Sequence, residues 1–239
     1  MKINWNYIKM IVLMGVVVFL FAFSSHRNAV RYVTAPDITF IGESSPFITN
    51  QNVSKLLIQN FKGVKNVPKE TLALNELEVA LKSNPLIKSA EVYVAVNGTL
   101  KVEIEQKTPI ARVSTNASFY IDADGFYMPL SSNYAARVPL VTGNVDKNNL
   151  KSIHLVADKI KNDEFLKTNV IEIHRGNNGM MYLKLRQCQF LVQLGSTKNL
   201  DKKINNLKAF YQKNLEEKTL GNYSKVNLQF DNQVVCTKI

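Results

Sequence analysis

The sequence predicts an α+β fold in three parts: an N-terminal transmembrane helix, a β-α-α-β-β unit, and a strand-rich β domain with two helices. Three observations carry this. An uncharged apolar run lies near the amino terminus, and an Asn-Gly dipeptide joins two alternating runs just after two helical patterns. Beyond residue 108, short alternating runs and polar turns dominate. The expected divisions are a short tail over 1–9, a membrane span over 10–25, the first unit over 32–107 and the β domain over 108–239.

Between Tyr7 and Phe23 only Lys9 carries a charge, and those 17 residues as a helix span roughly 25 Å. Lys9 can snorkel to the headgroups, while Trp5 and Tyr7 stand where an interfacial aromatic belt forms. A cleaved signal peptide is the competing reading, with Ala22-Phe23-Ser24 as its cleavage region. The aromatics, the long apolar run and the lack of a clear A-x-A favour an anchor that is retained.

The first unit opens with the strand Asp37–Gly42. Thr49-Asn50 offers N-cap chemistry to a helix bearing Val53, Leu56, Leu57 and Phe61. A loop over Lys62–Lys69 leads to a second helix, Leu72–Lys82, with Leu74, Leu77, Val79 and Leu81 as its apolar positions. Asn84-Pro85 ends it, since proline disfavours a helical residue before it. Ala90, Val92, Val94 and Val96 then alternate with polar neighbours. Asn97-Gly98 follows, and Leu100, Val102 and Ile104 alternate against Lys101, Glu103 and Glu105, the strongest short-range hairpin pattern.

In the β domain, Ile110–Val113, Phe119–Asp122 and Phe126–Leu130 read as short strands. A helix is expected over Leu150–Lys161 on the stripe Ile153, Val156, Ala157 and Ile160. Val170–Ile173, the turn Asn177-Asn178-Gly179, Met181–Arg186 and Phe190–Leu194 follow. A long amphipathic helix comes next, with Leu200, Ile204, Leu207, Phe210 and Leu215 inward and lysines 202, 203, 208 and 213 mostly off that stripe. One last strand is expected over Lys225–Cys236, with Val226, Leu228 and Phe230 inward.

The net charge of +11 is unevenly placed. Residues 1–31 contribute +4, residues 32–145 balance ten basic against ten acidic groups, and residues 146–239 hold sixteen basic and nine acidic groups, or +7. Aromatics are not interleaved with the basic residues in a nucleic-acid-binding pattern, so nucleic acid is not an expected partner. The two cysteines, Cys188 and Cys236, are too few for a disulfide framework, and free thiols are expected. His26, His154 and His174 have no metal-ligand spacing, and His154 reads as a helix-surface residue. Asp122-Ala-Asp124-Gly125 begins like a calcium loop, but Asn133 stands where a bidentate Glu is required, leaving a hairpin turn. Glu103 and Glu105 share a strand face, as alternate charges on a solvated face do. No catalytic, cofactor or metal site and no small-molecule substrate is expected. Recognition through a strand edge remains, and Gln233–Ile239 is apolar with no charge before Lys238.

Several motifs resemble one family. Phe40-x-Gly42, Asn84-Pro85-Leu86-Ile87, Ala90-Glu91-Val92 and Leu100–Gln106 resemble the POTRA domain of the FtsQ/DivIB cell-division proteins. Glu105–Ala111 is similar to that family's exit from the POTRA, Phe119–Gly125 to its D-x-x-G turn, and Val138–Gly143 to its L-P-x-hydrophobic-x-G segment. The resemblance implies a bitopic inner-membrane protein with a cytoplasmic N-terminus, a periplasmic bulk, a place at the division septum and no enzymatic activity. It also implies that the last strand, with an arginine from an adjacent strand that Arg175 matches, binds FtsB, the coiled-coil partner of FtsL, and through them reaches the septal peptidoglycan synthase. By position the resemblance marks Arg175, Val226, Leu228, Phe230, Asp231, Gln233, Val234 and Val235 as partner-binding. Phe230 lacks the tyrosine hydroxyl usual at its place, and Lys238 stands where tryptophan is common. The alternative is an outer-membrane protein assembly or secretion factor, which also uses POTRA domains but repeats them and adds a long barrel. An exported enzyme on a signal anchor is a third class, opposed by the lack of any catalytic constellation.

Overall fold

The computed structural model describes residues 5–29, 33–42, 46–61, 72–115, 117–230 and 233–239. Helix α1 spans Trp5–Ala29. Its stretch Trp5–His26 is 22 residues long and apolar enough to cross a membrane, about 33 Å at the α-helical rise. The chain divides into two compact units, one ending at Gln106 and the other made of residues 45–47 and 107–239.

The first unit contains β1 (Asp37–Ile41), α2 (Asn50–Phe61), α3 (Leu74–Lys82), β2 (Ile87–Val94) and β3 (Leu100–Gln106). Its sheet runs β1-β3-β2, with β1 parallel and β2 antiparallel to β3. Thr49 Oγ1 accepts the Asn52 N–H at 3.3 Å, capping α2 as its sequence position predicts. Val53 and Leu57 of α2 and Leu77 and Leu81 of α3 pack onto Ala90, Val92, Val102 and Ile104. Val79, an expected core position, is 68% exposed because only the 77/81 spacing faces the sheet. In the hairpin, Gly98 donates to Ala95 O at 2.9 Å and takes φ +89, so the glycine alone uses the left-handed region. The loop expected over Lys62–Lys69 lies outside the described residues.

The second unit contains β4 (Pro109–Ser114), β5 (Ser118–Asp122), β6 (Tyr127–Met128), β7 (Leu140–Gly143), α4 (Lys151–Lys161), α5 (Glu164–Asn169), β8 (Val170–Arg175), β9 (Met181–Leu185), β10 (Leu191–Gly195), α6 (Leu200–Glu216), β11 (Tyr223–Asn227) and β12 (Val235–Lys238). Among the described residues these strands form one nine-stranded sheet ordered β12-β11-β10-β9-β8-β7-β4-β5-β6. Three pairs are parallel: β7/β8 is bridged by α4 and α5 and β10/β11 by α6, whereas β4/β7 is connected through the strands β5 and β6. Ile153, Val156, Ala157 and Ile160 of α4 and Ile204 and Leu207 of α6 join Val141, Ile173, Leu183, Val192 and Val226 of the sheet in one core.

Four details depart from the expected elements. The short helix α5 is additional, started by Asp163, whose Oδ1 accepts the Leu166 N–H at 3.1 Å. The α6 stripe continues through Tyr211 and Asn214 while Leu215 is 53% exposed, because a 3.6-residue period from Leu207 favours 211 and 214. Lys203 is buried on that stripe. The single last strand over Lys225–Cys236 is instead the antiparallel pair β11 and β12. Asn227 Oδ1 accepts the Gln229 N–H at 3.0 Å, and this side-chain turn ends β11.

Candidate partner-docking edge

β12 is the outermost strand of its sheet and pairs with β11 on one flank: Val226 opposes Cys236 and Asn227 opposes Val235. No strand covers its other flank among the described residues. The Ile239 N–H turns inward to Asn222 O at 3.1 Å. Antiparallel alternation therefore turns the N–H groups of Thr237 and Val235 inward as well, and those of Lys238 and Cys236 toward the open flank. Val235 is 43% exposed, and neither proline nor a covering helix protects the edge among the described residues.

A groove of about 460 Å³ runs beside this edge, lined by Phe210, Asn214, Tyr223, Val234 and Cys236 among others. Its floor is firm: Phe210 packs edge-on against both Phe190 and Tyr223. Cys188 and Cys236 are free thiols, each pushed above the ordinary thiol pKa by burial.

The marked residues take different places. Phe230 and Gln233 are exposed in the connection between β11 and β12, Val234 is half-buried against the groove, and Val235 opens β12. Asp231 lies outside the described residues. Val226 and Leu228 are buried in the core, so their side chains hold β11 rather than face solvent. Contrary to expectation, Arg175 is not on a strand adjacent to the last one: it ends β8, four strands from β12, because β9, β10 and β11 pair in between, a lateral distance of about 19 Å at normal strand spacing. Its Nη1 donates to Asn149 O at 3.3 Å, and it lines a separate cavity of about 370 Å³ with Lys151, Ser152 and Met181.

Sequence reading missed Gln193 and Gln229. Gln193 is buried on β10, and its Nε2 donates to Gln229 Oε1 beside the turn out of β11. Alternation on β10 was the available signal: it places Gln193 opposite Asn227, on the side away from Val192.

Several other polar groups considered from sequence are engaged in structure. Asp122 accepts the Asp124 and Phe126 N–H groups at 3.1 and 2.7 Å and the Lys107 ammonium at 2.7 Å. The His154 ring donates through Nε2 to Ala123 O at 2.9 Å, bracing the same turn. Tyr93 donates to Glu103 at 2.7 Å, and Lys88 donates to Glu105 at 2.9 Å.

A β-α-α-β-β unit followed by a strand-rich domain that ends on an open edge defines a POTRA-type protein with a C-terminal β domain. Residues 42–105 match the POTRA-like domain, and residues 108–237 match the model described as FtsQ/DivIB, C-terminal related. The chain belongs to the FtsQ/DivIB family. It is 26% identical over 157 residues to the cell division protein DivIB of Clostridium tetani, covering 58% of this chain and 56% of that protein. It is 23% identical over 180 residues to the cell division protein FtsQ of Geotalea daltonii, covering 70% of this chain and 64% of that protein. The aligned parts thus span less than two thirds of either relative.

Proposed function

We propose that this protein is a non-enzymatic scaffold of bacterial cell division, anchored by α1 in the inner membrane, which captures a partner chain by strand addition at β12. The open flank of β12 carries this reading: unpaired N–H and C=O groups supply affinity to an incoming strand. The groove beside Cys236 then takes a side chain of that strand, while Phe230, Gln233, Val234 and Val235 flank it. Val226 and Leu228 support the edge from behind. Arg175, about 19 Å away, meets a different segment of the same partner, one carrying acidic side chains.

The partners are FtsB/FtsL-type coiled-coil proteins and, through them, the septal peptidoglycan synthase. The amino terminus is cytoplasmic, residues 32–239 are periplasmic, and the protein gathers at the septum to support its assembly. Family membership and the names of the two relatives support the division role, and the length of Trp5–His26 supports the anchor.

Photo-crosslinkers placed at Phe230 and Val234 in living cells test the reading, alongside Cys236→Pro, which deletes an outward donor of β12. Capture of an FtsB-type protein, lost in Cys236→Pro, is the expected result, with filamentation on depletion. Capture of outer-membrane assembly components, with normal septation, would replace this reading by the assembly-factor alternative.

A further inference from the structure

The sheet of the first unit also ends on a long strand, and there the edge is occupied. β2 is the outermost strand next to β3 and, at eight residues, the longest in its sheet. Its Val92 N–H does not point at β3; it donates to Glu78 Oε1 at 2.9 Å. Glu78 stands on α3, its side chain 27% exposed, and its Oε2 lies 3.7 Å from Lys82 Nζ one helical turn on. Antiparallel alternation makes Ala90 and Val94 the other residues whose backbone groups turn outward with Val92.

We infer that Glu78 is an edge guard: its carboxylate fills the place of an incoming strand's carbonyl and keeps β2 of one copy from pairing with β2 of a second. The second copy is the occupant being excluded because antiparallel β2-to-β2 pairing about Val92 is self-complementary. Each edge offers the other the same donors and acceptors across a two-fold axis. The long side chain of Glu78 reaches the strand from the helix, and Lys82 is placed to hold the carboxylate when it swings away. The guard leaves strand addition to β12, in the other unit. The inference itself needs no partner at β12.

The test uses the full chain in detergent micelles as Glu78→Ala and Glu78→Gln. Alanine removes the acceptor at little helical cost, whereas glutamine keeps a carbonyl in reach of Val92. At low concentration the Val92 amide should exchange about tenfold or more faster in Glu78→Ala, as expected when a bond to a charged acceptor is lost. As concentration rises, Glu78→Ala should dimerise with new protection over residues 87–94, while Glu78→Gln stays with the unaltered protein. Glu78→Ser gives the same readouts should the alanine variant fold poorly. A guardless variant with an unchanged oligomeric state, or a dimer without protection over 87–94, overturns the inference.

Discussion

Asp163 and Lys208 join two helices of the second unit through one carboxylate: Oδ1 caps α5 at Leu166 N, and Oδ2 receives the Lys208 ammonium from α6. Burial raises the Asp163 pKa, but the Lys208 bond, the Leu166 N–H and nearby cations together outweigh it and leave the group below the ordinary carboxylate value. A carboxyl depressed in the folded state stabilises fully above its unfolded pKa, and the contribution disappears as pH falls through the folded value. Asp163→Ala should therefore cost about 1–2 kcal/mol near neutral pH, the loss of one cap, with a smaller deficit in acid. Lys208→Met should cost less, because the cap survives. Denaturant melts at pH 7 and pH 3 check both.

Gly143 ends β7 at φ +86, and a Cβ there would drive into the Arg175 carbonyl, which already accepts the Asn144 N–H at 2.8 Å. Gly143→Ala should cost about 1–3 kcal/mol for the left-handed backbone alone. The clash with rigid backbone adds to that and shifts the end of β8 where Arg175 sits. Thermal unfolding reads the first effect, and partner binding reads the second.

Phe47 is 1% exposed and packs edge-on against Tyr120 at 6.0 Å and Tyr134 at 5.0 Å. Its carbonyl accepts Ser131 Oγ at 2.6 Å and Asn133 Nδ2 at 3.3 Å. Phe47→Ala should destabilise the second unit by about 3–5 kcal/mol, the usual cost of a large core truncation. Phe47→Leu should recover much of it. Proteolysis of residues 129–137 should accelerate in the alanine variant first, since that segment loses its packing partner.

Local chemistry made much of the fold legible. Asn97-Gly98 gave the β2–β3 hairpin, Thr49 the start of α2, and the 153/156/157/160 stripe the buried face of α4. β7 was less accessible, because its four residues are too short for alternation to show and parallel pairing to β4 and β8 makes it a strand. Splitting the final run into β11 and β12 depended on one side-chain turn at Asn227, inside an otherwise regular alternation. At the site, the apolar run from Gln233 with no charge before Lys238 pointed to the strand that forms the edge. Alternation turned Val226 and Leu228 inward as expected, whereas Phe230, expected inward with them, is 46% exposed because the Asn227 turn ends β11 before it.

Among the described residues the Arg175 side chain makes one hydrogen bond, to the Asn149 carbonyl, so Arg175→Ala should leave stability within about 0.5 kcal/mol. Under the proposed function its effect is on encounter: the association rate with an acidic partner should fall at low salt. The difference should vanish as ionic strength approaches ~1 M, where the screening length is ~3 Å. Stopped-flow binding across a salt series checks it, and a salt-independent rate for the unaltered chain would remove electrostatic steering from the mechanism.

Lys203 lies in the first turn of α6 with its ammonium buried, donating to Leu194 O at 2.9 Å and Ser196 O at 2.7 Å. Those carbonyls are at the end of β10, where the sheet ladder stops at Gly195 and backbone acceptors need another donor. The ammonium thus fastens α6 to the strand that carries β11 and, behind it, the open edge. Lys203→Met keeps the stem but strands both acceptors, at a cost of about 1–3 kcal/mol per unsatisfied group. Lys203→Arg should cost less, since a guanidinium still offers two donors. Amide exchange at β11 and β12 should rise in the methionine variant before global unfolding does, because Ile204 and Leu207 of α6 share the core with Val226 and Leu228 at the face of β11. Uniform exchange across the unit would instead make Lys203 a general core residue with no special hold on the edge.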